Sequence, residues 1–101
     1  MIIYNVTVKI NRDRAKEWLD WMKHKHVPDV MNTGQFLDSR ICKLLDQDEA
    51  EDPTYVIQYH CESRKHFDTY LDKFAPALRD EFNTKYKNQF VLFRTLMEIL
   101  E

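Results

Sequence analysis

The chain has 101 residues, 44% hydrophobic and 32% charged, with 15 Lys and Arg against 17 Asp and Glu for a net charge of −2. That length suits one domain, residues 1–101, whose core can bury roughly two thirds of the surface of the unfolded chain. The near-neutral balance gives no electrostatic footprint for a phosphate backbone, and no apolar run approaches the roughly 18 residues of a membrane span, so neither nucleic acid nor membrane is an expected partner.

The N-terminus enters Met1-Ile2-Ile3-Tyr4 with no basic leader or apolar signal segment, which leads us to expect a cytoplasmic protein. Residues 2–10 alternate strictly, with Ile2, Tyr4, Val6, Val8 and Ile10 on one face and Ile3, Asn5, Thr7 and Lys9 on the other, so they predict a strand with one apolar face. From about Asp13 the period becomes helical through Ala15, Trp18, Leu19, Met22 and His26. The helix is expected to end at Val27, because Pro28 disfavours helix in the residue before it. Trp21 falls off this stripe and is assigned to an edge or a partner surface. A short turn around Asp29 to Asn32 closes at Gly34, the chain's one glycine.

Residues Phe36 to Leu45 and Thr54 to Cys61 predict a hairpin around the acidic, proline-containing loop Asp46 to Pro53. Ser63 is a natural N-cap for a second helix carrying Phe67, Tyr70, Leu71, Phe74, Leu78 and Phe82 on one stripe. Pro76 should kink or restart it. Phe90 to Leu100 predicts the last strand. The order βαββαβ gives an α+β, ferredoxin-like fold: a four-stranded antiparallel sheet with two helices on one face.

A sheet of this kind has one face left uncovered, and here both faces carry apolar residues. The last strand offers Val91, Phe93, Thr95, Met97 and Ile99 on one side and Phe90, Leu92, Arg94, Leu96, Glu98 and Leu100 on the other. Cover for the second face implies a homodimer, two sheets packed face to face as a dimeric α/β barrel. The polar residues expected inside it are Asn5, Thr7, Arg94 and Glu98, joined by Gln58 and His60 if Tyr55, Ile57 and Tyr59 point at the helices. Such groups either satisfy one another or line a cavity for a small-molecule ligand.

Four stretches in this order resemble the uncharacterised bacterial family called domain of unknown function 4286: Met1-Ile2-Ile3-Tyr4-Asn5-Val6-Thr7-Val8, His26-Val27-Pro28-Asp29-Val30, Phe74-Ala75-Pro76-Ala77-Leu78-Arg79 and Phe93-Arg94-Thr95-Leu96-Met97-Glu98. The resemblance runs over nearly the whole chain and implies kinship with dimeric α/β barrels. It implies no activity, since the family is named for lacking one.

His26 lies on the core stripe of the first helix, where its imidazole can cap the helix end, pair with Asp29, or act as an acid/base at a cavity mouth. Kinship with the wider barrel class, which includes haem-degrading members, adds an iron ligand to those roles. Cys42 and Cys61 sit on different predicted strands and are expected as reduced thiols. Neither Cys-x-x-Cys nor His-Glu-x-x-His occurs, so no metal is expected. A Walker loop, a dinucleotide fingerprint and a Gly-x-Ser-x-Gly elbow are excluded in a chain with one glycine, and no cofactor is assigned. The leading expectation is therefore a homodimer that at most binds a small ligand between its sheets. The alternative is a cofactor-independent or haem-related monooxygenase or isomerase in which Asn5, His60 and Arg94 position substrate or an oxyanion.

Overall fold

The computed structural model describes all residues from Met1 to Glu101. Strand β1 (Ile2–Ile10) pairs antiparallel with both β3 (Thr54–Cys61) and β4 (Phe90–Glu98), and β2 (Asp38–Lys43) pairs with β3. The strand order is β2-β3-β1-β4, the ferredoxin-like arrangement expected from the order of elements. Alternation in β1 and β3 sets the register: Tyr4 faces Tyr59 and Val6 faces Ile57 across the pair, and Tyr4, Val8, Ile57 and Tyr59 are buried beneath the helices.

The first crossover differs from the expectation that its helix stops before Pro28. A single turn of 3₁₀ helix (Arg12–Arg14), capped by the Asn11 side chain accepting from the Asp13 N–H, leads into α1 (Ala15–Trp21). The chain then widens into a π turn (Met22–His26) and continues through the proline as α2 (Val27–Met31). Pro28 cannot donate to the carbonyl four residues back, and its ring crowds that turn. The helix relieves the crowding by letting the Val27 N–H reach the Met22 carbonyl, five residues back. It ends where Gly34, at φ 78°, closes onto the Met31 carbonyl.

The second crossover follows its sequence closely. Ser63 caps α3 (Arg64–Lys73), accepting from the His66 N–H, and a break at Phe74 restarts the chain as α4 (Ala75–Lys85) with Pro76 in the first turn, where its missing donor does no harm. The strand β2 is shorter than the predicted span because Phe36 turns inward to stack near Tyr59 and Tyr70, while Leu44 and Leu45 run out exposed. Trp18 is fully buried at the centre of the core, 5.1 Å from Tyr55 and 6.5 Å from Phe82 between ring centroids. Trp21 packs on Phe82 and Tyr86 of the same chain rather than standing free for a partner.

Candidate functional site: a pocket between the helices and the sheet

Three elements converge under α4. Tyr4 is the third residue of β1, on the helix side. Val6, two residues on, pairs with Arg94 of β4, and directly paired residues share a face, so Arg94 also projects toward the helices. Its Nε donates to the Tyr4 hydroxyl oxygen at 3.0 Å. Arg79 follows Ala75 by four residues and precedes Phe82 by three, which places it on the inner stripe of α4 with these two buried residues. Its Nη2 donates to the same oxygen at 3.1 Å. The phenol thus accepts two charge-assisted hydrogen bonds and keeps its own O–H as a donor. Neither guanidinium is paired with a carboxylate, as all six ion pairs of the chain lie elsewhere.

His26 is carried into the same space by the π turn, which also turns Met22 inward. Its ring lies 5.1 Å from Trp21 and 5.5 Å from Phe82, and its Nδ1 is buried without a protein partner. It does not pair with Asp29, which is held instead by Lys25 one turn earlier on the surface. Burial pushes the His26 pKa down to about 4, against the opposing pull of Asp29, so the imidazole is neutral at pH 7. Burial likewise raises the Tyr59 and Tyr70 phenols, which remain protonated. Between these groups lies a cavity of about 30 Å³, also walled by Val6, Ile57 and Leu92. This is room for roughly two water-sized groups. Arg94 is the one exposed residue of the lining and marks its mouth at the β4 edge. One end of the pocket, where Tyr4, Arg79 and Arg94 meet, offers N–H and O–H donors and the other is apolar; Arg79 Nε is buried without a partner.

The sequence-predicted cluster is divided between the two faces of the sheet. Asn5, Thr7, Gln58 and His60 lie together on the open face, as expected once Tyr55, Ile57 and Tyr59 point at the helices. Gln58 Nε2 donates to Asn5 Oδ1 at 3.2 Å, Asn5 Nδ2 to Thr7 Oγ1 at 3.4 Å, and His60 Nδ1 pairs with Asp38. The first three are bonded in a row, and His60 is held separately by Asp38. Arg94 and Glu98, expected beside them, project from the opposite face, because the register sets Arg94 against Val6 and Glu98 against Ile2. Arg94 therefore joins His26 in the pocket, while Glu98 stays exposed outside its lining. Arg79 and Tyr4 were not singled out as site residues. The helical spacing Ala75, Arg79, Phe82 was the available signal for the first of them. No group of three or more His, Cys, Asp or Glu side chains gathers anywhere in the chain, and the pocket supplies a single imidazole.

Comparison with solved structures finds the same fold at low sequence identity. A dimeric ferredoxin-like protein from an uncultured marine organism superposes with a TM-score of 0.71 at 7% identity, covering 99% of this chain and 94% of that one. SnoaB, a cofactor-independent oxygenase from Streptomyces nogalater, gives 0.70 at 10% identity over 99% and 93% of the two chains. The heme-degrader MhuD from Mycobacterium tuberculosis, with two hemes bound in its active site, gives 0.69 at 15% identity over 100% and 97%. No curated protein matches the sequence. The model of the family described as Domain of unknown function (DUF4286) matches residues 1–100, and the chain belongs to that family.

Proposed function

We propose that this chain is a homodimer that holds a small molecule in the pocket under the helices of each copy. The observation that carries the reading is the convergence of Tyr4, Arg79 and Arg94 on one cavity, with His26 Nδ1 and Arg79 Nε buried and unpartnered. Left without any partner, each such atom would cost about 1–3 kcal/mol of stability. Apolar residues would close the same space at no such cost, and a ligand supplies the missing partners. The dimer is supported by Val91, Phe93 and Met97, exposed at 71%, 59% and 41% on the open sheet face, and by the likeness to a dimeric ferredoxin-like protein. In that dimer the bonded row Gln58, Asn5 and Thr7 would be enclosed between the sheets, with His60 paired to Asp38 beside it. The whole of 1–101 is read as one domain acting in a bacterial cytoplasm, in keeping with the free thiols of Cys42 and Cys61. No helix is long and apolar enough to cross a membrane.

A second reading, an enzyme of the cofactor-independent oxygenase or isomerase kind, is favoured by one feature: His26 is an uncharged imidazole at the pocket wall, able to take a proton from a bound substrate. Of the groups first considered for such chemistry, Asn5 and His60 face away from the pocket and Arg94 faces into it.

Native mass spectrometry of the purified protein tests both parts at once. A dimer carrying a stoichiometric extra mass is the expected result. A monomer would remove the sheet-to-sheet assembly, and a bare dimer that takes up nothing from a cell extract's small-molecule fraction would remove the pocket's role.

A further inference from the structure

We propose that the ligand of this pocket is a small monocarboxylate, its two oxygens held by Arg94, Arg79 and the Tyr4 hydroxyl, and its short apolar part lying against Val6, Leu92 and Met22. The inference rests on the pocket being a ligand site and adds what the ligand is.

The argument begins with charge. Two guanidinium groups sit within 3.1 Å of one oxygen, and guanidinium does not shed its proton in a protein. Between them the protein places a neutral phenol, solvent reaches the exposed Arg94 more than the half-buried Arg79, and no carboxylate of the chain pairs with either. An anion between them would offset their mutual repulsion. His26 adds no charge, since burial keeps it neutral at pH 7.

The donor set narrows the anion. Tyr4 accepts from both arginines, which leaves its O–H free to donate, and Arg79 Nε is a further donor with no partner. The remaining groups of the polar end are phenols and guanidinium N–H, whose planar forks match the two oxygens of a carboxylate. Size narrows it again. A cavity of about 30 Å³ takes a carboxylate and little more, and its other wall, Val6, Met22, Ile57, Phe82 and Leu92, gives nothing to the extra oxygens of a phosphate or sulfate. Acids of three or four carbons exceed that volume, and Met22 is the adaptable part of the wall whose rotamer change would supply the remaining space. Arg94 at the mouth meets the acid first.

The test compares acids with neutral molecules of the same shape. Propionate and butyrate are titrated into the full-length protein at neutral pH, in parallel with propionamide, butyramide and inorganic phosphate, following the side-chain resonances of His26 and Met22. Saturable shifts from the two acids at millimolar concentration, with no saturation by the amides or phosphate, are the expected result. Arg94→Gln, with circular dichroism confirming the fold, should weaken acid binding roughly ten- to hundredfold, the loss of one charge-assisted hydrogen bond. Arg79→Gln provides the same comparison if the first variant does not fold. Amides binding as well as acids, or phosphate binding better, would overturn the carboxylate while leaving a pocket that binds ligands. No saturable shift from any probe would overturn the carboxylate too, and together with a bare dimer in native mass spectrometry it would overturn the pocket as well.

Discussion

On the helix side of the sheet, Tyr4, Val8, Ile57 and Tyr59 are buried in a continuous aromatic and aliphatic core, and two polar groups beside them, Arg79 Nε and His26 Nδ1, are buried without a partner. On the other side Gln58, Asn5 and Thr7 are bonded in a row and His60 pairs with Asp38, while Val91, Phe93 and Met97 stand exposed. The closed face keeps unsatisfied polarity inside, and the open face keeps unsatisfied hydrophobicity outside. A protein tuned for stability alone would arrange neither. On the reading proposed above, the contrast would separate two tasks, ligand capture on one side and assembly on the other, carried by alternate residues of the same strands.

The comparison can be broken first at the closed face. Trp18→Ala removes a fully buried side chain beneath which Tyr55 and Phe82 pack, and should cost about 3–5 kcal/mol in urea unfolding. A smaller loss would mean that the helices sit loosely on the sheet.

The next effect in size is a pH dependence. His26 titrates near 6.5 when unfolded and at about 4 when folded. Between those values the unfolded chain binds the extra proton, so stability is full above pH 6.5 and falls as pH drops. The loss reaches about 3 kcal/mol near pH 4. His26→Gln should remove this component, and the difference between the two urea-midpoint profiles isolates it. Parallel profiles would place His26 in contact with solvent.

The smallest change in intrinsic stability belongs to the open face. Phe93→Lys should alter urea unfolding of the isolated chain by no more than about 0.5 kcal/mol, yet raise the dimer dissociation constant enough to be seen by sedimentation velocity. An unchanged sedimentation profile would sever the open face from assembly.

The facing of β1 is legible in the sequence because a one-residue slip would exchange Tyr4, Val6 and Val8 for Ile3, Asn5 and Thr7, whereas the facing of β3, and with it the side taken by Gln58 and His60, follows only from its pairing with β1. The last strand is not legible in this way, since its two sides are almost equally apolar. Its phase is set by pairing with β1, a contact between residues far apart in the chain. That is why Arg94 and Glu98 were assigned to the wrong face. The pocket was hidden for the same reason, as Tyr4, Arg79 and Arg94 meet from three separate elements. His26 was visible as a core-stripe histidine, but its inward aim depends on the π turn. Pro28 usually marks where a helix ends, and here it marks where one widens.

The strand order leaves β2 and β4 as the two edges of the sheet, and they differ in how safe an edge they make. The edge at β2 is six residues long and carries Asp38, Arg40 and Lys43, charges that discourage another chain from adding a strand. The β4 edge runs nine residues from Phe90 to Glu98, with Val91 and Phe93 exposed along it and Arg94 as its central charge. It is the template on which unfolded or newly made chains would stack first, so if the chain pairs as proposed, conditions that separate the copies should also be those under which the protein aggregates.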